Sequence, residues 1–293
     1  MHQAPDLVAG LAMLGVIAAL ASFPSAVAPL DPMRIGGSPL LPPSGGHPLG
    51  TDELGRDLWA NLAHGARTSL LVGVLAALLA ATIGLGAGAA AGLLGRWWDE
   101  GLMRLAELFQ IIPRMLIALL LVTLFGSTRW TLISVIAVTG WPMIARVARS
   151  EILSLRQREF TLAARALGAG EVHLLWRHLL PGAFPAVLIG LPLQVGRAIL
   201  LEAGLGFLGL GDPAVASWGR LLQGAQGYMR HAWWLAVFPG LVLTVTILAL
   251  HLIAEGLHIL MTPSLARAAA VGDEDGLPYR GPGGKVGAGE SRV

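Results

Sequence analysis

Residues 67 to 96 read RTSLLVGVLAALLAATIGLGAGAAAGLLGR and carry no charged side chain between the two terminal arginines. A bilayer core about 30 Å thick needs about 20 consecutive apolar residues in a helix. The stretch is long enough, and it lacks the strand-type alternation that is typical of a membrane β-barrel. It therefore predicts a membrane-spanning helix.

Three glycines in this stretch are spaced four residues apart, at Gly84, Gly88 and Gly92. Residues at this spacing lie on one face of a helix, and small ones allow a neighbouring helix to approach closely. The stripe predicts such a contact. The alternative is that glycine is merely frequent in a chain that contains 39 of them.

The composition extends this interpretation to the whole chain. Of 293 residues, 55% are hydrophobic and only 13% are charged, and the mean hydropathy is +0.68. Soluble domains average about 45–50% apolar and about 25% charged residues. These values exclude a disordered chain, a collagen-like chain and an ordinary water-soluble enzyme. Cysteine is absent, which excludes disulfides, thiolate catalysis and cysteine-ligated metals.

Six stretches are apolar and long enough to cross a bilayer. They are residues 7–29, 67–95, 101–126, 130–149, 183–209 and 232–261. The pattern predicts an all-α polytopic membrane protein with six transmembrane helices. A cleaved signal peptide is an alternative for the first stretch, but no Lys or Arg precedes it, which favours an uncleaved helix.

The distribution of basic residues predicts the orientation, because Lys and Arg accumulate in cytoplasmic segments. With the N-terminus inside, twelve of the twenty Lys and Arg residues fall in cytoplasmic segments and six in outer segments. The chain is therefore expected to be multi-pass, with both termini in the cytoplasm.

The segments between the spans complete the expected organisation. Residues 30–66 and 210–231 form outer loops, and residues 150–182 form the one substantial cytoplasmic loop. We expect three regions: 1–66 with the first helix and outer loop, 67–263 as the transmembrane core, and 264–293 as a disordered cytoplasmic tail.

The cytoplasmic loop reads EILSLRQREFTLAARALGAGEVHLLWRHLLPG over residues 151–182. Phe160, Ala163, Ala164 and Leu167 recur at helical spacing and give a small apolar face. Gly168 suits the left-handed turn that ends a helix, and a second helix is expected from Glu171 to Leu180, before Pro181. The pattern predicts a helix-turn-helix whose small tip fits a groove in a partner protein.

This loop resembles the coupling loop of ABC-importer membrane subunits, which is written Glu-Ala-Ala, three residues, Gly, nine residues, Ile, one residue, Leu-Pro. Ala163-Ala164, Gly168 and Leu180-Pro181 keep that spacing. Leu162 replaces the Glu and His178 replaces the Ile, and the missing Glu removes a polar contact with the ATPase. By resemblance, ATPase coupling is assigned to Leu162, Ala163, Ala164, Gly168, Leu180 and Pro181.

Two further runs resemble the dipeptide, oligopeptide and nickel branch of this family, and within it the C-type subunit. The first is LGTDELGRD at residues 49–57, followed by GARTSL at 65–70; the second is EAGLGFLGLG at 202–211, followed by SWG at 217–219. Asx turns around Thr51-Asp52 and Gly55-Arg56-Asp57 make a scaffold role the main expectation and substrate contact the alternative.

The resemblance implies a type I ABC-importer permease with a cytoplasmic coupling helix, located in the bacterial plasma (inner) membrane and forming half of a translocation pore. It implies a second homologous membrane subunit in a heterodimer, two cytoplasmic ATPase subunits and an external substrate-binding protein. No cofactor is expected here, because ATP is bound by the partner ATPase. The implied solute is a di- or oligopeptide; a nickel chelate or another small solute is the alternative.

Charged residues within spans are costly and indicate functional sites. The candidate pore-lining residues are Glu107, Arg114, Arg197 and Glu202. Glu107 and Arg114 are expected seven residues apart on one helix, and Arg197 and Glu202 five apart on another. Structural ion pairs, snorkelling and a position in the translocation path all stay open, and arginine in that path would suit a carboxylate-bearing solute.

Catalytic and metal sites are not predicted. His251, Glu255 and His258 share one helix face at metal-ligand spacing, but a polar helix end near the headgroups explains them without a metal. The glycine run at 204–211 lacks the Lys-Ser/Thr of a phosphate-binding loop. The sequence lacks the motifs of a membrane-embedded enzyme. A stand-alone secondary transporter would leave the cytoplasmic loop unexplained.

Overall fold

The computed structural model describes residues 5–28 and 37–261. The expected tail at 264–293 lies outside them. The regular secondary structure of the described part is helical, apart from one isolated β-bridge between Thr51 and Asp57. In chain order the helices are α1 (Pro5–Ser22), α2 (Pro24–Val27), α3 (Leu58–Leu93), α4 (Arg96–Ile111), α5 (Arg114–Phe125), α6 (Arg129–Arg156), α7 (Glu159–Ala166), α8 (Glu171–Leu174), α9 (Leu180–Leu205), α10 (Trp218–Ala225) and α11 (Trp234–Met261).

Five helical segments of the described chain are long and apolar enough to cross a membrane, and a sixth crossing is formed if the bent α4–α5 pair counts as one span. The all-α polytopic prediction is therefore confirmed. The boundaries differ in part from those expected, since α3 begins at Leu58 rather than at residue 67, and α6 continues to Arg156.

The third expected span is not one helix. The chain bends by 89° between α4 and α5, around Ile112 and Pro113. Proline lacks the N–H for helical bonding and disfavours helical geometry at the preceding residue, and Ile112 is accordingly extended, with ψ 132°. The prediction of a continuous helix over residues 101–126 was wrong because it counted apolar length and disregarded this proline.

The fifth span is longer than expected. A helix runs from Glu171 to Leu210, so the prediction that helix ends before Pro181 was wrong. A π-helical turn over Leu175–Leu179 precedes the proline, and the Leu180 N–H donates to the Leu175 carbonyl. Such widened turns let a helix accommodate a proline.

The glycine stripe on α3 makes the predicted close contact, and its partner is α6. A Cβ built on Gly84 would lie 2.7 Å from Ile144 Cβ, one on Gly88 2.5 Å from the Ala145 carbonyl oxygen, and one on Gly92 2.7 Å from Ile152 Cγ2. A side chain larger than hydrogen would push the helices apart. The stripe therefore fixes the α3–α6 pair at the centre of the fold.

The outer turns form as their sequence predicts. Asp52 Oδ1 accepts from the N–H groups of Leu54 and Arg56 at 2.9 Å and 2.8 Å. Asp57 caps α3 by accepting from the Ala60 N–H at 2.8 Å, and its other carboxylate oxygen lies 2.7 Å from His47 Nδ1. This run positions the start of α3, which is a scaffold role.

Candidate functional site

The loop at residues 150–182, which the sequence predicts to be cytoplasmic, forms a short helix, α7, joined to α6 by a tight turn. Thr161 is fully buried, and its hydroxyl donates to the Leu155 carbonyl at 2.8 Å. After α7 the chain turns at Gly168, whose φ of +88° is left-handed. The left-handed turn predicted at this glycine is confirmed.

Three charged side chains tie this loop to the transmembrane core. Arg156, the last residue of α6, donates to the Gly92 carbonyl at 2.5 Å and lies 3.8 Å from Glu171. Arg165 on α7 donates to the other oxygen of Glu171 at 2.7 Å. Glu171 therefore bridges α6 and α7, so that a force on α7 reaches the ends of α3 and α6.

The outer surface of the loop is apolar and uncovered. Leu162 is 50% exposed and Leu167 is 90% exposed, and Phe160, Val172 and Trp176 are exposed as well. A Cβ built on Gly168 would meet no atom within 4 Å. A contiguous exposed apolar patch is typical of a protein interface where it lies outside the membrane.

The residues assigned to coupling fall into two groups. Leu162, Ala163, Ala164 and Gly168 lie together on α7 and the turn that follows. Leu180 and Pro181 lie at the start of α9 instead, where Leu180 packs against a buried cluster that contains Ile152 and Ala183. Leu180 and Pro181 therefore belong to the packed base of the loop and not to its exposed tip.

Glu202 lies fully buried on α9 in a closed polar cluster. Ser69 on α3 donates to Glu202 Oε2 at 2.9 Å, and the Ser217 side chain also hydrogen-bonds Glu202. The backbone N–H of Trp218 donates to Ser69 Oγ at 3.3 Å, and its indole N–H donates to the Leu62 carbonyl at 3.2 Å. The cluster thus joins α3, α9 and α10.

This cluster is also where three of the family-like runs meet. A Cβ built on Gly65 would lie 3.3 Å from Trp218 Cδ1, and one on Gly219 would lie 2.5 Å from the Ala203 carbonyl oxygen. Runs separated by about 130 residues in sequence therefore build one packed corner at the outer end of α9.

Arg114 is the first residue of α5, directly after the break that follows α4. Its side chain is half-buried and reaches α6, where Nη2 donates to the Ile136 carbonyl at 2.8 Å and Nε donates to Thr139 Oγ1 at 3.2 Å. Thr139 lies near the middle of α6, so the guanidinium is held well inside the helical bundle.

Gln194, near the middle of α9, approaches the same place from the other side. It is 3% exposed, and its Nε2 atom is buried without a hydrogen-bond partner. A Cβ built on Gly140 would lie 2.5 Å from Gln194 Nε2 and 2.7 Å from Arg114 Nη2. The two nitrogens therefore converge on one notch in α6 that a glycine leaves open.

Arg197 lies one helical turn beyond Gln194 on α9, and both residues line a cleft of about 70 Å³ between α6 and α9. The side chain of Arg197 is exposed, with Nη1 2.6 Å from Met143 Sδ, and it lies within electrostatic range of Arg114. In the described chain neither arginine forms an ion pair with a carboxylate.

The four charged candidates are thus separated in space. Glu107 is exposed on α4, beyond the bend from Arg114, so these two do not lie on one straight helix. Arg197 and Glu202 share α9 without an ion pair between them. The structure brings Arg114 to Gln194 at Gly140, places Arg197 one helical turn beyond Gln194, and gives Glu202 a separate position hydrogen-bonded to Ser69 and Ser217.

The histidines on one face of α11 do not form a metal site in the described structure. His251, Glu255 and His258 are all exposed. Within residues 5–28 and 37–261, no three His, Cys, Asp or Glu side chains are grouped so that they could hold a metal ion.

Sequence reasoning missed Gln194, Gly140 and the break at Pro113. Gln194 has a usable signal, because it is a lone polar residue three positions before Arg197 in an otherwise apolar run. Pro113 within an apolar stretch was a signal of the break. Gly140 has no such signal, since only the arrival of two side chains from other helices gives it a role.

Comparison with known proteins places these features in a family. Residues 62–267 match the protein family described as "Binding-protein-dependent transport system inner membrane component". A protein of Brucella suis biovar 1 (strain 1330) is 42% identical over 75% of this chain and 74% of its own length. Bacillus subtilis (strain 168) has a dipeptide transport system permease protein that is 38% identical over 78% of this chain and 72% of its own, and an oligopeptide transport system permease protein that is 36% identical over 77% and 74%.

A solved chain supports the fold. It comes from inward-facing conformations of the MetNI methionine ABC transporter and matches with a TM-score of 0.57 at 18% identity, covering 72% of this chain and 96% of that one. At this identity the likeness concerns the fold alone. Together with the family match over most of the described core, it identifies the chain as a member of the inner membrane components of binding-protein-dependent transport systems.

Proposed function

We propose that this chain is the C-type membrane subunit of an ATP-driven importer of di- or oligopeptides and forms half of its translocation pore. In this assembly it pairs with a second, homologous membrane subunit. Two cytoplasmic ATPase subunits bind and hydrolyse ATP, and an external binding protein delivers the peptide. The chain itself breaks no bond in the solute.

The observation that carries the proposal is the cytoplasmic loop. Its tip offers exposed Leu162 and Leu167 beside small alanines, and a turn at Gly168 with open space around it. Small side chains allow a partner groove to reach the backbone of α7. The loop is joined to the bundle by the buried Thr161, whose hydroxyl donates to the Leu155 carbonyl, and by Glu171, which lies between Arg165 on α7 and Arg156 at the end of α6.

The mechanism requires one two-state element that both ATP and the loaded binding protein bias. ATP binding draws the two ATPases together and moves the docked loops. The two membrane subunits then rock from an inward-open to an outward-open arrangement, and the binding protein releases its peptide into the path. Hydrolysis returns the assembly to the inward-open state.

The choice of peptides over nickel chelates rests on the two relatives from Bacillus subtilis, which are named for dipeptides and oligopeptides. Mass spectrometry of the solute retained by the cognate binding protein tests it directly. Peptides in that spectrum support the proposal, and a metal chelate would replace it.

The coupling role is tested with two variants in the loop. Ala164→Arg forces a long charged side chain into the contact, and overpacking or an unpaired buried charge costs about 1–3 kcal/mol or more. Gly168→Val places a β-branched residue at φ +88°, which spoils the turn. Both variants are expected to insert and to pair with the second membrane subunit, and to lose ATPase co-purification and ATP-driven uptake. Normal co-purification and uptake in both would exclude this loop as the coupling element.

The orientation has its own test. With both termini in the cytoplasm, reporter fusions after Pro43 and Pro213 report an outside location and a fusion near Gly170 reports an inside location. The reverse pattern would place α7 on the wrong side for any ATPase.

A further inference from the structure

We propose that Arg114, Gln194 and Arg197 form an intramembrane subsite that binds the carboxylate group of the transported solute. This inference rests on the proposed function and specifies where along the path the solute is recognised. It begins from the charges: the Arg114 guanidinium reaches into the bundle, the Arg197 guanidinium is exposed beside Met143 one helical turn beyond Gln194, and no described carboxylate pairs with either. Unpaired charge within a membrane span is expensive and indicates a missing partner.

The hydrogen-bonding groups give the partner its chemistry. Gln194 Nε2 is a buried donor without an acceptor among the described residues, and burying such a group is unfavourable unless an acceptor arrives. Arg114 has five N–H donors, of which the two described bonds to α6 use only part. Donors and positive charge without acceptors match a carboxylate.

The backbone supports the same assignment. Irregular backbone at membrane depth is tolerated where it is buried in protein or lines a cavity, and transporters use broken helices to bind solutes in mid-membrane. Ile111, Ile112 and Pro113 at the α4–α5 break are exposed in the single chain. The following helix has 12 residues and no side-chain cap, so its positive dipole end lies beside Arg114.

The size of the cleft limits what binds there. Gln194 and Arg197 line the cleft, whereas Arg114 meets Gln194 at the Gly140 notch. The cleft volume of about 70 Å³ accommodates one small anionic group or a few water molecules, and not a whole peptide. The remainder of the solute would therefore extend along the face carrying exposed Met143 and Arg197, where the second membrane subunit completes the path. The structure assigns the carboxylate end of the solute to this half of the pore.

The absence of cysteine from the chain makes a direct test available in the assembled transporter. Met143→Cys places a thiol beside Arg197, because Met143 Sδ lies 2.6 Å from Arg197 Nη1. The probes are two thiol reagents of opposite charge, sulfonatoethyl and trimethylammonioethyl methanethiosulfonate. The anionic reagent is expected to react about tenfold faster than the cationic one, as a nearby positive charge requires.

Matched backgrounds identify the source of this preference. Adding Arg197→Gln is expected to bring the ratio of the two rates close to one. Adding Arg104→Gln, which removes an exposed arginine paired with Glu100 on α4, is expected to leave the ratio unchanged. Equal rates for the two reagents in Met143→Cys itself would overturn the proposal.

The solute is then tested as a competitor, with dialanine and dialanine amide as probes. Dialanine is expected to slow the reaction of the Met143→Cys thiol with the anionic reagent, and the amide, which lacks the carboxylate, is not. Equal protection by both, or by neither, would exclude a carboxylate subsite. ATP-driven uptake of dialanine and of pentaalanine by the wild-type transporter is measured in parallel. Dialanine uptake together with either excluding result rejects only the subsite, whereas the absence of uptake of both peptides rejects the proposed function.

Discussion

Two polar regions inside the helical bundle carry charge, and they differ in how that charge is satisfied. Around Glu202, hydrogen bonds come from Ser69 and Ser217, and the Trp218 backbone N–H donates in turn to Ser69. Around Gln194, a buried donor has no partner and two arginines have no acid. The first region is closed and the second is open.

The difference separates structural charge from charge that binds. A buried group with all its hydrogen bonds made holds its helices in one arrangement, and removing it leaves other buried groups unsatisfied. A buried donor without an acceptor adds little to the stability of the folded chain until a ligand supplies that acceptor. Variants in the closed region should therefore affect folding, and variants in the open region should affect transport.

The largest effect is expected at Glu202. Glu202→Leu keeps the volume but strands the Ser69 and Ser217 hydroxyls, at about 1–3 kcal/mol for each buried group left without a partner. Membrane abundance and the thermal unfolding midpoint in detergent should both fall sharply. Glu202→Gln, which still accepts a hydrogen bond, is the matched control and should stay close to wild type. Normal abundance of Glu202→Leu with selective loss of uptake would move Glu202 into the translocation path.

A smaller and different effect is expected at Gly140. Gly140→Ala places a methyl group where Gln194 Nε2 and Arg114 Nη2 converge, and both are ends of side chains that can move aside. Alanine is also the better helix former, so abundance should be unchanged. Uptake measured in vesicles should fall about fivefold, corresponding to one weakened hydrogen bond. Lost abundance with uptake reduced only in proportion would make this notch a packing feature.

The smallest effect is expected from Ser69→Ala. This change removes one donor to Glu202 and one acceptor for the Trp218 N–H, while Ser217 still hydrogen-bonds the carboxylate. The free energy of unfolding should fall by about 1 kcal/mol, measured as a small decrease in the thermal midpoint, and uptake per assembled transporter should stay at the wild-type level. A large uptake defect at normal stability would contradict the scaffold role of this cluster.

Much of the fold follows from local sequence. The charge-free run at residues 67–96 predicts α3, the glycine stripe predicts its close contact, and Gly168 predicts the left-handed turn, because each depends on residues near one another in the chain. The two wrong predictions of helix continuity, at Pro113 and at Pro181, both concern the effect of a proline. Pro113 breaks a helix, whereas the helix continues through Pro181 after a π-helical turn. Proline alone therefore does not predict where a helix ends, since Pro142 and Pro239 also lie inside helices.

The sequence by itself determined that this protein is an all-α chain with membrane-spanning helices, and it predicted a loop with a partner-binding tip, since hydrophobic length, spacing and turn chemistry are local properties. It did not distinguish Glu202 from Arg114 or Arg197, because a charge within an apolar run has the same local signature whatever surrounds it. Only the tertiary structure decided that question. It brings serines from two distant segments to Glu202, and it brings an unpartnered amide, a glycine notch and a helix break to the arginines. Whether a buried charge is satisfied depends on residues that are remote in sequence and meet only when the helices pack.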